Sequence, residues 1–403
     1  MKRERIEELL ALYRNGLFED VLPFWLRHSV DRRFGGFMTS LNRDGSVVDT
    51  DKAMWQQGRF TWLLGELYNN AAGIDPKSAE DRDRWLEAAE LGINFMDRFG
   101  YDSADGRMWF HVTREGRPIR KRRYAFTESF AAIGYAEYAQ ATGKEQYAEK
   151  AVRALKTFID YCTVPRPSLA KFTDVRPMQS IGFPLIMIGA SQELRDSIDW
   201  PEADYWIDRS VETIERYFLK EDLRAVMENV GPKGEIYDHF DGRILNPGHA
   251  IEAAWFIMRE GEIRGDQRLV SLGTKMLDWS LERGWDEEYG GLLYFVDLKG
   301  LPVQEYWHDM KFWWPHAEAL IATLLAWHLT GEEKYALMHE KIHTWTYSRF
   351  PDPEYGEWFG YLHRDGGLSS PLKGNFWKGP FHIPRMQLVC TRILKSKLEH
   401  AEE

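Results

Sequence analysis

Cysteine is scarce in this chain. Among 403 residues there are 2, Cys162 and Cys390, too few for a disulfide framework or a thiolate zinc site. Both fall inside helical patterns and read as core thiols. Basic charge is in deficit: 52 Lys+Arg against 63 Asp+Glu give a formal net charge of −11. That balance argues against nucleic acid or an anionic membrane as the main partner. A local basic run, Arg117 to Arg123, reads as a solvated face. No apolar run approaches the roughly 20 residues that cross a bilayer. The first residues, MKRERIEELL, are charged and helical with no apolar signal core, so the chain is expected to be cytoplasmic. A G-x-x-x-x-G-K-[ST] loop, a dinucleotide fingerprint and H-E-x-x-H are absent. So is a G-x-S-x-G elbow. With no linker or low-complexity tract, residues 1–403 read as a single domain.

What is present is a large core and an excess of aromatics. Hydrophobic residues make up 44% and aromatics 14%, with 17 Trp. Helical periodicity dominates. It predicts twelve helices, near 4–29, 52–73, 81–99, 125–142, 145–162, 178–194, 202–219, 247–265, 267–283, 313–330, 333–349 and 381–397. They alternate in character. Those beginning near 52, 125, 178, 247, 313 and 381 are rich in small and apolar residues, as in Ala317-Glu-Ala-Leu-Ile-Ala-Thr-Leu-Leu-Ala. The others carry a charged face, as in Arg82-Asp-Arg-Trp-Leu-Glu-Ala-Ala-Glu. The first set belongs inside and the second outside.

A Gly-rich, hairpin-like segment recurs between an outer helix and the next inner one. Its copies read Arg33-Phe-Gly-Gly-Phe-Met, Asp105-Gly-Arg-Met-Trp-Phe, Tyr289-Gly-Gly-Leu-Leu-Tyr-Phe and Tyr355-Gly-Glu-Trp-Phe-Gly-Tyr. Turn pairs follow at Asp44-Gly45, Glu115-Gly116, Lys299-Gly300 and Asp365-Gly366. A unit returning about every 55–70 residues marks a repeat architecture. Six such helix pairs close into an all-α (α/α)6 barrel with short β-hairpins at one end. That end, where the inner helices begin, is the place for chemistry.

Three of the 12 histidines share one position in the repeat: Asn246-Pro-Gly-His249, Trp314-Pro-His316 and Pro380-Phe-His382-Ile-Pro384. Each lies in a Pro-marked first turn of an inner helix, where the helix N-terminus disfavours the imidazolium. A neutral imidazole is what a general base requires. Glu252 follows His249 by three residues and shares its face. Glu318 follows His316 by two and does not. Arg59 follows Trp55 by four and faces whatever Trp55 faces. His316 reads equally as a group supporting the site from behind. His28, His111, His239, His308, His328, His339, His343, His363 and His400 have no such register and read as surface or core. Three histidines could ligate a metal, but their spacing is not that of a zinc site, and none is expected.

These segments resemble the N-acylglucosamine 2-epimerase family, whose animal members were also named renin-binding proteins. The likeness runs along nearly the whole chain. It includes Trp55-Gln-Gln-Gly-Arg59, Phe126-Thr-Glu-Ser-Phe, Asn246-Pro-Gly-His-Ala-Ile-Glu-Ala-Ala-Trp-Phe, Lys311-Phe-Trp-Trp-Pro-His-Ala-Glu and Lys378-Gly-Pro-Phe-His-Ile-Pro-Arg. The resemblance implies the same barrel and interconversion of N-acetylglucosamine and N-acetylmannosamine. It implies that His249 and His382 are the acid/base pair, with Arg59, Glu252 and Glu318 in the pocket and Trp55, Trp313 and Trp314 in its walls. It implies ATP as an allosteric activator, not a reactant, and a homodimer.

One segment departs from the family. Epimerases of this type carry Met-Ala-x-Pro-Met on the third inner helix, and related plain-sugar isomerases and epimerases carry a third histidine there. This chain has Ile181-Gly-Phe-Pro-Leu185, preceded by Met178 and Gln179, which would stand behind the pocket. The implied mechanism opens the sugar ring and removes the C2 proton beside the aldehyde with one imidazole. The other imidazole returns a proton on the opposite face. Arg59 would stabilise charge on O1, Glu252 would orient His249 or assist ring opening, and Glu318 would bind hydroxyls. Three other readings remain: an aldose–ketose isomerase or 2-epimerase of a plain sugar, a glycoside hydrolase using Glu252 and Glu318, and a non-catalytic binding protein.

Overall fold

The computed structural model describes residues 1–164, 166 and 171–399, and His400 lies outside them. Its helices are α1 (Arg3–Asn15), α2 (Leu22–His28), α3 (Met54–Asn70), α4 (Arg82–Phe99), α5 (Phe126–Thr142), α6 (Glu145–Thr163), α7 (Gly182–Ile198), α8 (Ala203–Thr213), the single turn α9 (Phe240–Arg243), α10 (Pro247–Arg264), α11 (Gln267–Gly284), α12 (Trp313–Thr330), α13 (Glu333–Tyr347) and α14 (His382–Glu399). Helices α3, α5, α7, α10, α12 and α14 pack successively as the inner wall. Between α14 and α3 the ring is closed by an Arg392–Glu66 ion pair and by Trp62 against Phe381, centroids 5.3 Å apart.

Composition explains the two layers. Helix α12 is buried from Trp313 through Trp327, so it has no solvent face. Helix α6 buries only Tyr147, Ala151, Ala154, Leu155, Phe158 and Ile159, a single stripe. Gly58 of α3 lies against the backbone of Phe130 on α5, where a Cβ would collide. That glycine lets the two inner helices cross closely. Helices α5, α10 and α12 each end on a left-handed glycine (Gly143, Gly265, Gly331), and an outer helix starts two residues later.

The first and fourth outer helices differ from expectation. Each passes into a π-helical turn, Gly16–Val21 after α1 and Ile214–Phe218 after α8. Cys390 is a core thiol as expected, but Cys162, in the last turn of α6, is exposed.

The strands are β1 (Ser40–Leu41), β2 (Val47–Asp49), β3 (Lys52–Ala53), β4 (His111–Val112), β5 (Pro118–Arg120), β6 (Gln179–Ser180), β7 (Leu219–Lys220), β8 (Ala225–Val226), β9 (Asn229–Val230), β10 (Ile244–Leu245), β11 (Val296–Asp297), β12 (Lys311–Phe312), β13 (Tyr361–Leu362) and β14 (Leu368–Ser370). Hairpins β1–β2, β4–β5 and β13–β14 enclose Asp44-Gly45, Glu115-Gly116 and Asp365-Gly366. Lys299-Gly300 does not close a hairpin of its own, because β11 pairs antiparallel with β10, just before α10.

A recurring ion pair ties these loops to the wall. Buried Asp31, Asp286 and Asp352 each take a buried lysine from the segment leading to the next inner helix: Lys52, Lys311 and Lys373. Each also takes an arginine from a neighbouring hairpin: Arg114, Arg364 and Arg43. Arg43 belongs to the first hairpin and Asp352 to the loop between α13 and β13, so this pair closes the loop layer as α14 and α3 close the wall. Burial pushes these carboxyls up, but hydrogen bonds from arginine and lysine outweigh it and hold all three well below the usual carboxylate range.

Candidate active site

The barrel surrounds a cavity of about 1960 Å³ whose lining includes the starts of the inner helices α10, α12 and α14. Two of the three helix-start histidines line it. His249 owes its place to local sequence: the Asn246 side chain caps α10 by accepting from the His249 backbone N–H, and Pro247 supplies the first helical residue. His382 is the first residue of α14.

The two imidazoles are each held by a carboxylate, and that of His249 is not the Glu252 expected from spacing. His382 Nδ1 lies 2.7 Å from Glu318 Oε1. Glu318 also accepts from Arg385 at 2.7 Å and, on its other oxygen, from Trp255 Nε1 at 2.7 Å. The expectation for it is binding of sugar hydroxyls; in the fold it is fully buried and orients His382 and Arg385. Glu252 does not touch His249. It accepts a hydrogen bond from Arg385, bridging α10 to α14. The partner of His249 is Glu228, with Nδ1 and Oε2 3.0 Å apart.

Three participants escaped the sequence reading. Arg385 follows His382 by three residues, the same spacing that singled out Glu252 after His249, so a signal existed. Trp255 also follows Glu252 by three. Glu228 sits between β8 and β9, 21 residues before His249. No periodicity links it to α10.

The environments of the two imidazoles differ. At His249 burial opposes protonation, but the Glu228 carboxylate outweighs it and the group ends above its ordinary value. At His382 burial and the Arg385 charge act together and hold it well below. Trp314 lies between them, its ring centroid 5.1 Å from His249 and 5.7 Å from His382. Gly248 makes room for that ring, since a Cβ there would strike Trp314.

Arg59 enters the cavity from α3. Its guanidinium lies over Trp55 at 4.5 Å, Phe130 at 3.9 Å and Phe381 at 4.7 Å. The four-residue spacing from Trp55 therefore does put both on one face. Arg59 makes no ion pair or side-chain hydrogen bond among the described residues, and its Nε is buried and unpartnered. Burial pulls it down to about 9, which leaves it cationic at neutral pH. A desolvated cation without a partner is suited to an oxyanion. Trp55, Trp313 and Trp314 all line the cavity, with the Trp313 ring centroid 6.4 Å from His382.

His316 is not part of the cavity lining. It is fully buried, with Nδ1 2.7 Å from the Phe312 carbonyl and Nε2 accepting from the Leu292 N–H at 2.9 Å. Its ring stacks on Trp345 at 4.8 Å. Both nitrogens are used in joining a loop to α12, and burial pushes it down to about 3. Met178 and Gln179 line the cavity, and Gln179 donates to the Gly231 carbonyl at 3.2 Å. The ligand atoms of Glu252, Glu318 and His382 lie within 4.8 Å of one another, close enough to surround a cation. Arg385 already bonds both carboxylates and fills the cation's place.

Comparison with known proteins agrees with this architecture. Residues 35–379 match the family model described as N-acylglucosamine 2-epimerase (GlcNAc 2-epimerase). The chain is 34% identical to the N-acylglucosamine 2-epimerase of Mus musculus over 419 aligned positions, covering 100% of this chain and 96% of that protein. It is also 34% identical to that of Bos taurus, covering 98% and 94%. The structure of cellobiose 2-epimerase from Spirochaeta thermophila DSM 6192 superposes with a TM-score of 0.81 at 20% identity, over 98% of this chain and 99% of that one, which supports the (α/α)6 barrel. On the full-length match and this shared fold, the chain belongs to the N-acylglucosamine 2-epimerase family, the carbohydrate 2-epimerases of the isomerase class.

Proposed function

We propose that this enzyme interconverts N-acetylglucosamine and N-acetylmannosamine by moving the C2 proton through two imidazoles. The observation that carries the reading is the pairing of His249 and His382 in one cavity, each with Nδ1 held by a carboxylate. With Nδ1 engaged, Nε2 is the nitrogen left for the substrate. The C2–H of an open-chain aldose is acidic because it adjoins the aldehyde. One imidazole takes that proton, and the C–H electron pair becomes the C1–C2 double bond of an enolate. Its charge develops on O1, where Arg59 stands as an unpartnered cation. The other imidazole delivers a proton to the opposite face of C2. No step calls on a metal or a nicotinamide.

The N-acetyl substrate rests on the mouse and bovine relatives, named as N-acylglucosamine 2-epimerases. The segment Ile181-Gly-Phe-Pro-Leu185 contains no third histidine, which supports the same choice over a plain hexose. The reading further includes ATP as an allosteric activator, a homodimer and a cytoplasmic setting. No helix among the described residues is long and apolar enough to cross a membrane.

The test is chromatography after incubation with N-acetylmannosamine, mannose, glucose and cellobiose in turn. N-acetylglucosamine from the first sugar, with little turnover of the others, is the expected result. A ketose would make the enzyme an isomerase, and cleavage of cellobiose a hydrolase.

A further inference from the structure

The two histidine–carboxylate contacts resemble each other in length but not in charge. Glu318 is shared among His382, Arg385 and Trp255. Among the described residues the Glu228 side chain bonds to His249 alone. The charged groups that act on His249 are Glu228 from the β8–β9 turn, Glu252 from its own helix and, opposing them, Lys171 from the segment before α7. Those that act on His382 are Arg385 from its own helix, Arg59 from α3, Glu252 from α10, Glu318 from α12 and His249 across the cavity. His249 thus faces two carboxylates and one exposed lysine. At His382 two carboxylates are offset by two guanidiniums. His249 also retains a third of its side-chain surface against 10% for His382.

We propose that Glu228 is the positioning residue that keeps His249 protonated in the resting enzyme, so that, for the epimer whose C2–H faces His382, His249 begins the reaction as the acid and His382 as the base; the other epimer starts from the reversed protonation state. The inference rests on the epimerase reading and deepens it. Neutral His382 accepts the C2 proton at Nε2 and becomes the imidazolium, while the C–H pair enters the enolate. His249 gives its Nε2 proton to C2 on the opposite face and becomes neutral. No proton is gained or lost overall, and exchange with solvent restores the resting arrangement. The opposite shifts of the two groups, upward at His249 and downward at His382, have the sign this division requires.

Glu228→Gln preserves the hydrogen-bond acceptor and the shape but removes the charge; Glu228→Asp keeps the charge. In enzyme labelled with ¹⁵N-histidine, with His249 assigned through His249→Asn, the His249 ring should titrate lower in Glu228→Gln by about one pH unit or more. The high-pH limb of kcat/KM should fall by the same interval while the low-pH limb, set by His382, stays in place. Glu228→Asp should restore both toward wild type. An unchanged His249 titration in folded Glu228→Gln would reduce Glu228 to packing. A shifted titration with an unmoved high-pH limb would overturn His249 as the acid. The NMR arm reads Glu228 even if no sugar is turned over, so failure of the proposal and failure of the epimerase reading give different results.

Discussion

The Nδ1 of His382 and the Oε1 of Glu318 meet at 2.7 Å from two neighbouring inner helices, α14 and α12. Closing the barrel therefore assembles a base with a fixed tautomer. Glu318→Gln should leave the fold intact and lower kcat by about 10²-fold or more, because an amide can turn an N–H toward the ring and select the wrong tautomer. KM should move far less. Steady-state kinetics check this, and near-normal turnover would detach Glu318 from His382's role.

Arg59 makes a second prediction. Arg59→Lys keeps the charge but loses the planar stack on Trp55, Phe130 and Phe381. Removing a preorganised oxyanion partner costs about 10²–10³-fold in kcat. Arg59→Lys should lose a large part of that and Arg59→Met all of it. A change confined to KM would make Arg59 a simple binding group.

His316→Ala should act on stability and not on chemistry. It strands the Leu292 N–H and the Phe312 carbonyl in a buried position, a loss of about 1–3 kcal/mol for each unsatisfied group. Thermal unfolding should show a fall in Tm of several degrees. The folded fraction should retain turnover of the wild-type order. A selective loss of kcat at unchanged Tm would return His316 to the site.

The stability of the fold should decline with acid from an unusually high pH. Burial pushes His316 and His339 down to about 3 and His343 to about 4. The unfolded chain protonates these rings near pH 6.5, so their contribution is complete above about 6.5 and is lost as pH falls toward 4. His382 has the same sign and His249 the opposite one. Asp31, Asp286 and Asp352 add their loss only below the ordinary carboxylate range of about 4. Tm measured from pH 8 to 4 should therefore begin to drop near 6.5. A flat profile down to pH 4.5 would contradict the buried-histidine account.

Much of this architecture was legible because a repeat writes the same physics several times. Alternating apolar and charged-faced helices give the layers, and the glycine turns give the hairpins. Pro-marked starts place His249 and His382 at one mouth. What spacing could not supply was pairing across elements. Glu252 stands on the face of His249 along α10, yet Arg385 of α14 draws it away. Glu228 reaches His249 only because the turn between β8 and β9 folds back over the start of α10. His316 shares the register of the other two, but α12 is buried on all sides, so its ring meets Trp345 and not the cavity. Lys299-Gly300 carried a hairpin signal whose strand found a tertiary partner in β10.

The central claim is that C2 of the sugar exchanges its proton through His249 and His382. Proton NMR of N-acetylmannosamine with the enzyme in D₂O, with and without ATP, tests it most directly. The account predicts N-acetylglucosamine carrying deuterium at C2, and loss of that signal in His382→Asn. Product without deuterium at C2, or undiminished labelling in His382→Asn, would contradict it.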